Sequence, residues 1–173
     1  MKNPSDRRDS KETGVPMESF HVAPVSHLWA ERLVEIDSQW NPKHWSEALF
    51  EKELTSKTSR VRGLFVGDEL IGYLIAHVVC DEAHIVSLGI DTQWRGEGGG
   101  RVLLRDFLRA ALLEGVSDVS LDVRVSNLVA RKLYEESGFA VVGVRRNYYS
   151  DNGEDALTMR YTAPGKRSRF VAQ

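Results

Sequence analysis

The sequence predicts a single α/β (α+β) domain built on one mixed sheet. Strand-like segments and helical patterns alternate in the middle of the chain, giving a βαβα centre with hairpins on both flanks. Turn signals separate the flanking strands, "GDE" at 67–69 and "DNGE" at 151–154. At 173 residues, 42% hydrophobic and 28% charged, the chain suits one domain with a substantial core.

Residues 1–18 are charged, poor in apolar residues and without period, which predicts a disordered lead. The domain then runs over 19–162. A short strand is expected at Phe20–Val22, followed by a helix from Ser26 to about Ile36 with Leu28, Leu33 and Val34 on its apolar side. "NPKHWSEALFEKEL" reads as a second short helix capped by Ser46. Trp40 and Trp45 are expected to fill the seam beneath these helices and to touch no ligand. Val61–Val66 and Leu70–Cys80 form the next strand pair, and "AHIVSLGI" runs straight into a cluster of glycines. The helix Gly100–Glu114 places Leu103, Leu104, Phe107, Leu108 and Ala111 on one face, and Gly115 ends it. "VSLDVRV" alternates as a strand, with Asp122 on the face of Ser120 and Arg124. Ser126 or Asn127 caps a helix reaching Ser137, which Gly138 terminates. "FAVVGVRRNYYS" and "DALTMRYT" close the domain as a hairpin, and 163–173 is a basic tail.

Composition excludes several functions. A net charge of −2 argues against a general nucleic-acid binder. The lone Cys80 rules out an internal disulfide and suits a reducing compartment. The five histidines are scattered without a zinc signature, so no metal is expected. No apolar run approaches the roughly 20 residues of a membrane span, and the N-terminal segment lacks the apolar core of a secretory signal. A cytoplasmic protein with no membrane or nucleic-acid partner is the expectation.

The stretch "QWRGEGGGRVLLRDFL" carries the chemistry. Glycines this dense cost backbone entropy, and here they join a strand to an apolar-periodic helix. Such a junction makes an anion site, because the first helical N–H groups lack partners and carry the positive end of the helix dipole. Arg95 and Arg101 flank the turn and can add charge-assisted contacts. A loop that merely closes tightly is the competing reading. The dinucleotide pattern fails because Arg101 stands at its third glycine, and no Gly-Lys-Ser/Thr of a Walker A loop is present. What remains is Arg95-x-x-Gly98-x-Gly100.

That pattern resembles the R/Q-x-x-G-x-G/A loop of the GCN5-related N-acetyltransferase (GNAT) superfamily. The later stretch "LDVRVSNLVARKLYEESGF" is similar to a segment of one branch, the bacterial RimI group, and "RRNYYSDNGEDALTM" resembles that group's last hairpin. The resemblance covers about residues 20–162 and is strongest from 83 onward. It implies a central mixed, mostly antiparallel sheet flanked by helices, and acetyl-coenzyme A as donor. It also implies transfer in a ternary complex to a protein N-terminus, the N-terminal alanine of ribosomal protein bS18. Lysine side chains and small amines are alternative acceptors, and a non-catalytic acyl-coenzyme A sensor is a further alternative.

Residue by residue, the resemblance assigns Arg95, Gly96, Glu97, Gly98, Gly99, Gly100 and Arg101 to the donor's pyrophosphate. It assigns the backbone of Leu88, Gly89 and Ile90 to its pantetheine arm. Asn127 aligns with an asparagine that contacts coenzyme A, and it is equally suited to cap a helix. Tyr134 becomes the general acid and Asp122 the general base. Packing beside Leu133 and a salt bridge to an arginine are the respective structural alternatives. The RimI group usually carries glutamate at the second position of "LDVR", so Asp122 departs from the pattern by one methylene. Tyr148, Tyr149 and Arg146 fall on the hairpin that walls the peptide groove, and Asp81 and Glu82 could face a basic peptide or form a solvated turn.

Overall fold

The computed structural model describes residues 19–165; the lead at 1–18 and residues 166–173 of the basic tail lie outside the described residues. Eleven elements follow the expected order. β1 (Phe20–Pro24) leads through a 3₁₀ turn at His27–Trp29 to α1 (Ala30–Ser38) and α2 (Glu47–Thr55). Then come β2 (Ser59–Val66), β3 (Glu69–Val79), β4 (Glu82–Ile90), α3 (Gly99–Leu113), β5 (Asp118–Arg124) and α4 (Leu128–Glu136). The hairpin β6 (Ala140–Tyr149) and β7 (Glu154–Thr162) closes the chain. The sheet order is β1-β2-β3-β4-β5-β7-β6, and only the β4–β5 pair is parallel. That single parallel step needs a crossover, which α3 supplies.

Both faces of the sheet are covered, so β3 reads as a nearly continuous apolar run. Its side chains alternate between two cores. Leu74 and Ala76 join Leu103, Leu104 and Phe107 of α3 and Tyr134 of α4 on one face. Tyr73 and Ile75 join Leu33 and Ile36 of α1 and Phe50 of α2 on the other. Each fully buried Leu, Ile or Phe among them contributes about 1.5–3 kcal/mol.

Local signals ended the elements as expected in most places. Ser46 caps α2 by accepting from the Leu49 N–H, and Asn127 caps α4 by accepting from the Ala130 N–H. Gly115 and Gly138 follow α3 and α4 with φ of 89° and 92°, the left-handed turn that suits glycine. The first helix differs. Its start is a 3₁₀ turn, which advances three residues per turn and shifts the phase of the pattern. Leu28 therefore leaves the face of Leu33 and is 80% exposed.

Candidate active site

β4 and β5 pair over only four positions, from Glu82↔Asp118 to Ile85↔Leu121. Beyond Ile85, β4 carries an extra residue, Val86: Ala76 of β3 faces Ile85, whereas Ile75 faces Ser87. A bulge bends its strand and re-aims the residues beyond it. The two strands part just there, and the β5 side of β4 from Val86 to Ile90 has no ladder partner among the described residues. The parting opens a cavity of about 1030 Å³ lined by 85–90 of β4 and 122–124 of β5.

One mouth of this cavity is the glycine turn. β4 is followed by Asp91, which is buried and accepts hydrogen bonds from the Gln93 N–H (2.9 Å), Arg32 (2.7 Å) and Gln39 (3.2 Å). Burial opposes the charge, but these donors outweigh it and hold the carboxyl below the ordinary range. Gly96 and Gly98 take φ of 86° and 85°, and Gly98 is the N-cap of α3. The first helical N–H groups with partners are those of Arg101 and Val102, both donating to the Gly98 carbonyl. Among the described residues, nothing accepts from the N–H groups of Gly96 through Gly100. Gly99 answers a different need: a Cβ there would lie 2.6 Å from Leu64 Cδ2, so the glycine lets α3 seat on the sheet. Gly100 faces the cavity.

The flanking charges divide. Arg95 is exposed and folds back to donate to the Ile90 carbonyl at 3.1 Å. Arg101 is already paired with Glu136 of α4, so an anion at the turn competes with that carboxylate for it. Glu97 is absent from the cavity lining.

Tyr134 reaches the cavity from α4. Its ring is buried against Phe139 at 5.7 Å, and no group among the described residues hydrogen-bonds its hydroxyl. Burial, and secondarily the neighbouring Tyr149, pushes its pKa well above that of a free phenol, so the proton stays on. Tyr149 is pushed up to about 12, chiefly by burial, while Arg124, stacked 3.8 Å over its ring, opposes the rise. The core packing and the cavity position of Tyr134 thus coexist, as do the cap and the cavity position of Asn127.

Asp122 lies on the opposite side of the sheet from Tyr134. Leu121 and Val123 point into the core under α3 and α4, so strand alternation turns Asp122 toward the face of α1 and α2. Its carboxylate accepts from the Thr158 hydroxyl at 2.6 Å and pairs with Arg145 at 3.4 Å. An arginine salt bridge, the structural alternative for this residue, is therefore present, and Asp122 is also among the residues that line the cavity.

The other mouth corrects one expectation. Trp40 and Trp45 both line the cavity, and Trp40 is 40% exposed there, because the loop between α1 and α2 folds over β4. Trp45 also packs on Phe50, which satisfies the seam-filling reading in part. Lys43 of the same loop donates to Ser150 at the tip of the β6–β7 hairpin (2.8 Å), joining the two walls. Tyr148 and Tyr149 line the cavity as an edge-to-face pair at 5.1 Å. Arg146 turns away to Asp155, and Asp81 and Glu82 sit at the far end of β4 from the glycine turn. The role of the 40–45 loop is hidden in the sequence because tryptophans between two helices look like packing; the signal is their pairing with Asn41 and Pro42, which break the helix.

Residues 29–139 match the model of the Acetyltransferase (GNAT) family, and the chain belongs to that family. It is an N-acetyltransferase similar to RimI proteins. It is 37% identical over 149 residues to "N-alpha-acetyltransferase RimI" of Mycobacterium tuberculosis, covering 83% of this chain and 92% of the relative. It is 28% identical to a Bacillus subtilis protein named "Putative [ribosomal protein bS18]-alanine N-acetyltransferase", covering 87% and 97%. The crystal structure of the Escherichia coli ribosomal-protein-S18-alanine N-acetyltransferase superposes with a TM-score of 0.79 at 27% identity, covering 88% of this chain and 99% of that one.

Proposed function

We propose that the protein acetylates the α-amino group of a protein N-terminus with acetyl-coenzyme A, the acceptor being the N-terminal alanine of ribosomal protein bS18. The observation that carries the reading is the row of unbonded N–H groups at the start of α3, opening onto the gap between β4 and β5. Backbone N–H groups at a helix start suit a diphosphate, and the unpaired edge of β4 suits an extended amide-bearing arm. The names of the relatives support the acceptor.

The donor lies against Gly96–Arg101 and along Leu88–Ile90, near Asn127, on the α3–α4 side. The acceptor enters from the α1–α2 side, between the 40–45 loop and the β6–β7 hairpin. The amine nitrogen attacks the thioester carbonyl in a ternary complex; the C–N bond forms and the C–S bond breaks. A β4 backbone N–H stabilises the developing oxyanion. Asp122 takes the amine proton through one water, since its carboxylate sits about 1.5 Å further back than a glutamate's. Tyr134 gives its proton to the leaving thiolate; burial keeps that hydroxyl protonated until the thiolate forms.

Incubation with acetyl-coenzyme A and an N-terminal bS18 peptide is expected to release free thiol and a peptide acetylated at its α-amine. Turnover with internal lysines or small amines but not with this peptide would reject the acceptor. Tight donor binding without transfer to any amine would reject the enzyme reading in favour of a sensor.

A further inference from the structure

The loop that walls the acceptor end of the cavity hangs on a buried carboxylate. Asp37, in the last turn of α1, is fully buried, and no cation pairs with it among the described residues. A carboxylate in that position is costly unless donors occupy its oxygens. The loop and the sheet provide them. The Trp45 N–H donates at 2.7 Å and the Asn41 side-chain amide at 3.2 Å. The backbone carbonyl of Asp37 accepts in addition from the N–H groups of Trp40 and Asn41. The 40–45 loop is thus fastened to one residue at both ends.

The remaining oxygen of Asp37 reaches into the sheet. It accepts from the Tyr73 hydroxyl of β3 at 2.6 Å, and that hydroxyl lies 2.9 Å from the Ser87 hydroxyl of β4. Tyr73 has one proton to give and gives it to the carboxylate, so Ser87 donates to Tyr73. Ser87 lines the cavity. Two residues on, a Cβ at Gly89 would lie 2.7 Å from the Tyr73 ring and 2.8 Å from Trp40 Nε1. The loop and the tyrosine therefore close directly over the bare β4 backbone, on the strand that carries the proposed donor contacts.

We infer that Asp37 is a positioning residue for the acceptor, tying the 40–45 loop to β4 through Tyr73 and Ser87 so that the amine meets the donor-bearing strand at a fixed distance. The inference rests on the reading of this cavity as an amine-acetylating site. Asp37 touches neither substrate, so its loss acts on acceptor binding and leaves donor binding alone.

Three variants of the full chain test this. Asp37→Ala is expected to raise the acceptor KM about tenfold or more, a loss on the scale of charged hydrogen bonds. Its affinity for coenzyme A stays within about twofold of wild type, because Asp37 makes no contact with the glycine turn. Asp37→Asn is the rescue: its carbonyl accepts from Trp45 and its NH₂ donates to Tyr73, which then donates to Ser87. It recovers most of the acceptor KM. Amide hydrogen exchange adds a readout independent of acceptor identity, with Trp45 N–H exchange accelerated in Asp37→Ala and still slow in Asp37→Asn. Should Asp37→Ala fail to fold, Tyr73→Phe cuts only the link to β4, and the acceptor KM is again the quantity that rises. An unchanged acceptor KM in a folded Asp37→Ala or in Tyr73→Phe overturns the inference, as does a parallel loss of coenzyme A affinity. A wild-type protein that acetylates no amine fails the functional reading itself, a result read before any variant is made.

Discussion

Tyr134→Phe separates catalysis from packing more cleanly than any other change in this cavity. The substitution keeps the ring on Phe139 and removes only a hydroxyl that no described residue hydrogen-bonds. The hydroxyl faces the cavity, where water satisfies it, so its loss should change stability by less than about 1 kcal/mol. For a chain of this size that is a Tm within about 2–4 °C of wild type. The same hydroxyl, as general acid, is worth about 10²–10⁴ in rate, or roughly 3–5 kcal/mol of barrier. Thiol release at saturating donor and acceptor, a thermal melt and coenzyme A titration measure the three quantities separately. The expected result is a kcat lower by about a hundredfold or more with donor affinity and Tm preserved. The raised pKa fixes the pH behaviour: the acid form exists below it, so wild-type kcat should not decline up to about pH 10 through loss of this proton. Full kcat in the variant, or a loss of activity that tracks a loss of Tm, refutes the assignment.

Gly98→Ala places a side chain at φ 85° in the N-cap of α3 and should cost about 1–2 kcal/mol of stability. It should also weaken coenzyme A binding by calorimetry, and unchanged affinity would remove the turn from the donor site. Asp122→Asn retains a partner for Thr158 but loses the charge opposite Arg145, and kcat should drop by about a hundredfold with a near-normal fold. Glu154 is held down at about 2 by hydrogen bonds from Ser126 and then from Arg124. A depressed carboxyl stabilises the fold above its unfolded pKa of about 4.3 and loses that contribution as pH falls toward 2. Glu154→Gln should therefore flatten the fall of Tm between those values, and an unaltered pH profile would show that the contact does not matter to stability.

The parts of this fold legible in the sequence are those set by neighbours in the chain. The glycine turn, the face of α3, the caps at Ser46 and Asn127 and the stops at Gly115 and Gly138 each depend on a few consecutive residues. The hidden parts depend on distant partners or on phase. The 3₁₀ start before α1 moves Leu28 to the surface although its spacing looks helical. The gap between β4 and β5 arises from a bulge at Val86, and a register shift leaves no mark in the alternation of "AHIVSLGI". Arg101 meets Glu136 across 35 positions, and Asp37 meets Tyr73 across 36. Neither pairing has a local signature. The tryptophans illustrate the same limit: packing and cavity lining need the same residue type, and only the loop's course over β4 decides between them.

The short carboxylate at 122 bears on which amine the cavity serves. Thr158 and Arg145 hold Asp122 from the side of β6 and β7, so it is not free to swing toward the gap and make up the missing methylene. With Asp122 as the proposed base, its placement leaves proton removal from the acceptor poorly assisted. A protein α-amine, with a pKa of about 7.7–8.0, is already neutral in roughly a tenth of molecules at pH 7. A lysine amine near 10.4 is neutral in well under about one in a thousand. With a neutral fraction about two orders of magnitude smaller, lysine depends on that base far more than an N-terminus does. Lengthening the side chain by Asp122→Glu should narrow that difference, raising lysine turnover more than N-terminal turnover. Equal gains on both acceptors would mean that the position of the carboxylate plays no part in the choice.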